Sequence, residues 1–280
     1  MPVSVIRKFL LWWFDAPFSP WVSTSGAIDF RAAQAYLTEL ANGEGPKVSI
    51  QHLICAAVAR ALKSVPEANA RIIGQRIFPQ KHVGIAMPVN LLGHKAGKSR
   101  ELSMTVVSKV ETMSLRELAA ATQKVVKQER SGQMSNPFLR HMLSISEYLP
   151  QSVGNRFLNR FDALMRNPTF AQKVYELFPI TTGVTNPGSV IPPDLEGVLF
   201  RGTSINIPDR MVHVGTLWGF SAIQKEVLAI NDEPMVCPVL PVMVTWDHRL
   251  IDGVKASQLI LRFANIIQDP AAEFGPASEN

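Results

Sequence analysis

The sequence has 280 residues, of which 46% are hydrophobic and 18% charged, so the chain can bury a sizeable core and is not disordered on a large scale. Its formal net charge is +5, but the lysines and arginines are scattered, and neither a basic stripe with interleaved aromatic residues nor a nucleic-acid reader motif is present. We therefore expect no nucleic-acid partner, whereas a phosphate-bearing small molecule suits this charge.

The N-terminus carries a basic pair, Arg7 and Lys8, followed by an apolar run over residues 9–14. This run is too short for a secretory core or a membrane span. We predict that residues 1–16 form an arm that packs on a neighbouring subunit, in preference to a contact with a membrane.

Two cysteines, Cys55 and Cys237, lie inside apolar runs and show no spacing typical of a disulfide framework or of metal ligands. Such cysteines behave as small buried hydrophobic residues in a reducing compartment. The sequence therefore predicts a cytoplasmic protein without a metal site.

The clearest helix begins after Ser49, a suitable N-cap, and its apolar residues repeat at steps of three and four until Pro66 ends it. A second helix opens at Ser114 and Glu117, which have the form of a capping box. Between these helices, residues 83–90 and 102–109 are predicted to be strands.

From residue 132 to 178, Pro137, Pro150 and Pro168 divide the chain into short amphipathic stretches, which predicts two or three short helices. We interpret them as helices that cover the core. The alternative interpretation is a membrane-surface or lipid contact, because aromatic residues lie near arginines in this segment.

After Pro179, strand-like sequence returns over residues 180–188, 211–218 and 238–246, and a helix is predicted over 254–268. Helices are thus predicted to dominate the first half and strands the second. This order favours an α+β domain with a mixed sheet over regular βαβ alternation.

His248 follows the last predicted strand, and Asp252 and Gly253 come shortly after it. An imidazole titrates near neutral pH, so His248 is a candidate general base. A histidine at a strand end is also common as a structural residue, and its position alone leaves both interpretations open.

Residues 247–253 resemble the active-site signature of the catalytic domain of 2-oxoacid dehydrogenase acyltransferases, relatives of chloramphenicol acetyltransferase. Residues 49–70 and 83–86 are similar in order and spacing to the N-terminal half of that domain. Residues 185–188 fall where the family carries a Ser-Asn-hydrophobic-Gly turn, with threonine here in place of serine and proline in place of the hydrophobic residue.

The resemblance covers roughly residues 17–270, which we predict to be one catalytic domain with a helical insertion at about 132–178 and a tail at 271–280. It implies an α+β fold in which helices flank a mixed β-sheet. It also implies a homotrimer in which each active site lies in a channel between neighbours, with coenzyme A entering one end and the acyl partner the other.

By the same resemblance, His248 is the general base and Thr185 donates its hydroxyl to the oxyanion of a tetrahedral intermediate. A threonine that closes its own turn is the alternative for Thr185, and Thr181 and Thr182 are fallback donors. Asn186, in the same turn, is assigned a supporting role.

Asp252 is expected to fix the active-site loop through an arginine that the sequence does not identify. Gly253 is expected to permit a tight turn into the following helix. Asp247 and Arg249 either are surface charges or help to order the loop, and the match to the signature favours the second role.

The implied activity is acyl transfer with acyl-CoA as a substrate and no covalently bound cofactor. The acceptor is either a dihydrolipoyl group or a small hydroxyl or amine compound. Family members in the large complexes begin with lipoyl-bearing modules, whereas this sequence starts at the catalytic domain, so we expect a separate protein to supply any lipoyl group. The alternative is a non-catalytic trimeric scaffold with the same fold.

Overall fold

The computed structural model describes residues 19–92, 102–190, 198–199, 201 and 212–279. The predicted N-terminal arm, residues 1–16, lies outside these ranges. The strands are β1 (Trp21–Asp29), β2 (Ala70–Ile73), β3 (Arg76–Pro79), β4 (Gly84–Asn90), β5 (Leu102–Ser108), β6 (Thr182–Thr185), β7 (Thr216–Phe220), β8 (Gln224–Ile230) and β9 (Glu233–Asp247). The helices are α1 (Arg31–Ala41), α2 (Ile50–Ser64), α3 (Leu115–Arg130), α4 (Pro137–Tyr148), α5 (Gln151–Met165), α6 (Pro168–Leu177), α7 (Gly253–Gln268) and α8 (Pro270–Phe274).

The predicted helices over the two capped segments are confirmed, and local hydrogen bonds explain where they begin. At α3, the Ser114 hydroxyl accepts from the Glu117 backbone N–H at 3.2 Å, and the Glu117 carboxylate accepts from the Ser114 N–H at 2.8 Å. At α2, the Ser49 N–H donates to Nδ1 of His52 at 3.0 Å. Burial lowers the pKa of His52, which keeps this ring nitrogen available as an acceptor.

The main sheet has seven strands in the order β1-β9-β7-β6-β4-β5, with β8 paired to a further stretch of β9. β6 runs parallel to β4 and β7, and the other pairs are antiparallel. The sheet is therefore mixed and flanked by helices, as predicted. β2 and β3 form a separate antiparallel hairpin.

Each face of the sheet has its own hydrophobic cluster. On the first face, α1, α2 and α7 pack against β7 and β9, and the rings of Trp218 and Phe263 lie 5.1 Å apart. On the second face, α5 and α6 pack against Ala86 of β4 and Leu217 of β7. Because such burial removes apolar surface from water, it is the main force that holds the helices to the sheet.

Two or three short helices were predicted between residues 132 and 178, and the structure has three, α4, α5 and α6. Phe138, Phe161 and Phe170 from these helices pack on the second cluster, and the rings of Phe138 and Phe161 lie 5.9 Å apart. The segment therefore covers the sheet, as the first of the two interpretations predicted. No helix in the described ranges combines the length and apolar character needed to cross a bilayer.

The prediction that helices dominate the first half of the chain and strands the second was wrong, because five of the strands, β1 to β5, lie before residue 109. β1 was missed since its exposed residues are serine, threonine, glycine and alanine rather than alternating apolar and polar residues. The strand predicted over residues 180–188 is also shorter than expected and comprises only β6.

The segment predicted to be a C-terminal tail packs against the core instead. The Tyr36 hydroxyl donates to the Gly275 carbonyl at 3.1 Å, Ala277 is buried, and Glu273 pairs with Arg60 at 3.4 Å and also with Arg262. Residues 270–279 therefore belong to the same packed unit as the sheet.

Both cysteines are buried and free, as the sequence predicted. Burial raises the pKa of the Cys55 thiol to about 12. Because the thiolate is the reactive form, Cys55 is a packing residue rather than a nucleophile.

Candidate active site

The turn that carries His248 is held by backbone hydrogen bonds at the end of β9. The Asp247 N–H donates to the Gly215 carbonyl at 3.0 Å, and the His248 N–H donates to the Pro20 carbonyl at 2.9 Å. His248 itself is half-buried. The imidazole is thus presented from a fixed backbone position with part of its surface open.

Asp247 and Arg249 form a buried, bidentate ion pair in this turn. Arg249 Nε lies 3.0 Å from Asp247 Oδ1, Arg249 Nη2 lies 2.7 Å from Oδ2, and the Arg249 N–H donates to Oδ1 at 2.9 Å. Only 10% of the arginine side chain and 4% of the aspartate side chain are exposed. The geometry favours a loop-ordering role for both residues and argues against simple surface charges.

Asp252 is the N-cap of α7, where its carboxylate accepts from the Lys255 N–H at 3.0 Å. Its described contact therefore fixes the start of the helix that follows the histidine. The turn requirement predicted for Gly253 is wrong: this residue is the first of α7, its φ is not positive, and an added Cβ would meet no atom within 4 Å.

Thr185 is the last residue of β6, and Asn186 and Gly188 form the turn after it. A Cβ on Gly188 would lie 1.9 Å from the Ala222 backbone nitrogen and 2.1 Å from the Ser221 carbonyl carbon. Only a glycine lets this turn pack so closely on the backbone that follows β7.

Replacing Gly188 with alanine is therefore expected to displace the Thr185 turn and to lower the thermal midpoint of unfolding by several degrees. The matched control is Gly154→Ala, because a Cβ on Gly154, within α5, would meet nothing within 4 Å. Thermal unfolding followed by circular dichroism tests this, and equal midpoints for the two variants would contradict it.

The two fallback threonines are engaged in the fold. Thr181 Oγ1 accepts from the Gly84 N–H at 3.0 Å, and Thr182 Oγ1 donates to the Thr216 carbonyl at 2.9 Å. Both residues are buried. Their hydroxyls tie β6 to its neighbours, which argues against a role as oxyanion donors.

A buried arginine that the sequence analysis did not identify supports the start of β6. The guanidinium of Arg71 stacks 3.9 Å above the ring of Tyr175 and donates to the Ile180 carbonyl. Burial lowers the pKa of Arg71 to about 10, and Tyr175 acts in the opposite direction. The Tyr175 hydroxyl also lies 2.8 Å from Nδ1 of His213, so α6 is fastened to the segments that enter β6 and β7.

A cavity of about 900 Å³ opens beside the Thr185 turn. Val184, Asn186 and Gly188 line it, but Thr185 does not, because successive side chains of a strand point to opposite faces. Its other walls come from α1, the start of α2, β4, α3 and residues 221–223. The volume is in the range of ligand pockets.

The chain keeps His248 and Thr185 apart. Strand register places Thr185 beside Gly219, and Gly219 beside Met243, so two strand spacings separate Thr185 from β9. His248 lies five residues beyond Met243 and directly after the end of β9, which gives roughly 19 Å between the Cα atoms of Thr185 and His248. The predicted base and the predicted oxyanion donor thus form two half-sites on one chain.

A family model described as "2-oxoacid dehydrogenases acyltransferase (catalytic domain)" matches residues 17–147 and 206–274. The chain belongs to this family. Within the acyltransferase match lie His248, Asp252 and the buried ion pair, whereas the interval 148–205 is not matched and contains α5, α6 and the Thr185 turn. The predicted insertion at 132–178 shares residues 148–178 with the unmatched interval, which continues to residue 205.

Among curated relatives, this chain is 23% identical over 250 residues to the "dihydrolipoyllysine-residue succinyltransferase component of 2-oxoglutarate dehydrogenase complex" of Azotobacter vinelandii. That match covers 89% of this chain and 48% of the relative. The chain therefore spans about half the length of this relative.

Two solved structures show the shared acyltransferase fold. The dihydrolipoamide acetyltransferase of Azotobacter vinelandii superimposes with a TM-score of 0.62 and 17% identity, covering 95% of this chain and 87% of that one. A chloramphenicol acetyltransferase gives a TM-score of 0.55 and 13% identity, covering 94% and 96%. The Azotobacter structure was solved to investigate the role of a serine, a histidine and an asparagine in the catalytic mechanism of that enzyme.

Proposed function

We propose that this chain is an acyltransferase that moves an acyl group between coenzyme A and a thiol, with His248 as the general base. The observation that carries the proposal is the half-exposed His248, held at the end of β9 by the buried Asp247–Arg249 pair inside the region that the family model matches. A small hydroxyl or amine acceptor would use the same base.

In the proposed reaction, the imidazole of His248 takes the proton of the acceptor thiol as the sulfur attacks the thioester carbonyl carbon. The carbonyl oxygen becomes an oxyanion, and the Thr185 hydroxyl donates a hydrogen bond to it. The tetrahedral intermediate then expels the coenzyme A thiolate, which receives the proton from the imidazolium. No step requires a metal or a covalently bound cofactor.

The two half-sites support a shared active site in which His248 of one protomer meets the Thr185 turn of the next. His248 and Thr185 lie at different places on the sheet. His248 follows the end of β9, whereas Thr185 is two strands away, at the level of Met243, five residues before His248. A contact between different patches is heterologous and closes into a ring when the rotation permits. This supports the homotrimer that the sequence resemblance implies.

Thr185→Val is expected to lower turnover by about 10²–10³-fold with little change in the apparent affinity for acyl-CoA, because valine keeps the shape of the side chain and removes the donor. Steady-state kinetics with varied acyl-CoA measures this. Thr169→Val is the matched control, since Thr169 is exposed on α6. Equal losses in binding and turnover would count against the oxyanion role.

Acyl transfer itself is tested by incubating the chain with free dihydrolipoamide and either acetyl-CoA or succinyl-CoA, and by following release of the coenzyme A thiol. Succinyl-CoA is included because the named relative is a succinyltransferase component. We expect thiol release that depends on both substrates. Its absence with both donors and with a hydroxyl or amine acceptor would favour the scaffold alternative.

The shared site is tested by co-expressing differently tagged His248→Ala and Thr185→Val chains and purifying mixed oligomers. In a mixed ring, a histidine from one variant meets a threonine from the other, so activity should exceed that of either variant alone. Activity no higher than in the separate variants would contradict a site between chains. A lipoyl-bearing partner protein and the cytoplasmic location stay predictions from the sequence.

A further inference from the structure

The cavity beside the Thr185 turn is deep, and two helices line it from floor to mouth. On α3, Thr122, Val126 and Arg130 occupy successive turns and are respectively buried, half-buried and exposed. Because a helix rises 1.5 Å per residue, this wall is roughly 12 Å long. Along α1, the lining likewise runs from the buried Phe30, which directly precedes the helix, to the exposed Ala41 at its end.

The floor of the cavity is apolar and buried, and it is formed by Phe30, Val48, Met87, Val89 and Val184. Thr122 also faces this space, and its buried hydroxyl has no hydrogen-bond partner among the described atoms. A buried hydroxyl without a partner costs free energy that a bound ligand or water would recover. The floor therefore suits a largely apolar ligand with at least one acceptor atom.

The charged residues in the described lining of the cavity are both positive. Among the described residues that line it, Lys47 and Arg130, both exposed, are the charged ones, and that described set contains no aspartate or glutamate. Neither cation forms an ion pair within the described part of the chain. Two cations that have no counterion among the described residues, beside an apolar floor, favour an anionic group on the ligand.

We propose that this cavity binds an amphipathic organic anion, with its apolar body on the floor and its carboxylate at Lys47 and Arg130. The inference rests on the proposed function and deepens it, because Val184 and Asn186, the two neighbours of Thr185 in the chain, line the cavity, which therefore ends at the turn that carries the proposed oxyanion donor. The acyl acceptor is then a free thiol or hydroxyl compound with a distal carboxylate, in contrast to a lipoyl group held to a carrier protein by a neutral amide.

Binding is tested by calorimetric titration of the full chain with octanoate and with octanamide, which share an apolar body and differ in charge. We expect octanoate to bind at least about tenfold more tightly, the effect of roughly one charge-assisted hydrogen bond. Raising the salt concentration should weaken octanoate binding and leave octanamide binding unchanged. Equal affinity for the two compounds, or no binding of octanoate, would overturn the proposal.

The double variant Lys47→Met and Arg130→Met should lose the preference for octanoate. Its matched control is Lys63→Met with Lys124→Met, which removes two exposed cations that do not line the cavity. If both double variants keep the preference, the assignment of Lys47 and Arg130 fails. If coenzyme A binds through these two residues and octanoate does not, the anion is a phosphate and the proposal is also overturned.

An activity assay separates this inference from the proposed function. With acetyl-CoA as the donor, dihydrolipoate should give a kcat/KM about tenfold above that of dihydrolipoamide, and the cavity variant should lose most of this ratio. Transfer to both acceptors at equal rates supports the transferase and overturns the inference. Selective octanoate binding without transfer to either acceptor supports the cavity assignment and contradicts the transferase.

Discussion

Replacing His248 with alanine is expected to lower acyl transfer by about 10²–10⁴-fold, the range for loss of a positioned general base. The acceptor thiol must lose its proton as its sulfur attacks, and alanine cannot accept it. The fold should survive, because the hydrogen bond from residue 248 to the Pro20 carbonyl is made by the backbone N–H. The measurement is kcat/KM with acyl-CoA and dihydrolipoamide, together with circular dichroism and size-exclusion chromatography.

His141→Ala is the matched control for this experiment, because His141 is an exposed histidine on α4 whose described contact is with the Pro137 carbonyl. It should leave transfer unchanged. Near-normal transfer in the His248 variant would refute the general-base assignment. A large loss that is accompanied by a changed oligomeric state would point to a structural role for His248.

Arg249→Met is expected to destabilise the protein by about 3–5 kcal/mol, since it leaves the Asp247 carboxylate buried without its counterion. The displaced turn should also lower turnover, because the same pair lies beside His248. Urea unfolding at a fixed protein concentration measures the loss of stability. A fixed concentration is needed because subunit association also contributes to apparent stability.

The chain supplies its own control for this variant. Asp29 and Arg31 form the same motif at the far end of β1, with Nε–Oδ1 at 3.0 Å and Nη2–Oδ2 at 2.7 Å, but 43% of the Arg31 side chain is exposed. Arg31→Met should shift the urea midpoint less, because the Asp29 side chain is 16% exposed against 4% for Asp247, so water reaches the remaining carboxylate more easily. Similar shifts for the two variants would mean that burial does not determine the contribution of Asp247 and Arg249.

The elements that the sequence predicted most accurately are those whose boundaries depend on residues close to one another in the chain. The caps at Ser49 and Ser114, the helix stop at Pro66 and the helix after His248 all depend on contacts within a few positions, and all are present. β1 was not predicted, because its place in the sheet is fixed by pairing with β9, which lies more than 200 residues away in the sequence. Its own composition carries little of that information.

The candidate site shows the same division. His248 and Asp252 were proposed as site residues because a short signature contains them, whereas the contact between Asp247 and Arg249 needed coordinates to distinguish a buried pair from two surface charges. Lys47, Thr122 and Arg130 gave no signal, since they come from separate segments that only the folded chain brings to one cavity. Arg71 likewise acquires its role from α6 and β6, which are distant in sequence.

The separation of His248 from Thr185 has a genetic consequence if three protomers close into the proposed ring. Each chain then lends its base to one reaction centre and its threonine to another. A subunit carrying both the His248→Ala and the Thr185→Val substitutions would inactivate two of the three active sites in every trimer that it joins. A minority of such subunits would therefore lower the total activity of a mixed population by more than their own share. Co-expression at graded doses would show inhibition that rises faster than the fraction of mutant chains.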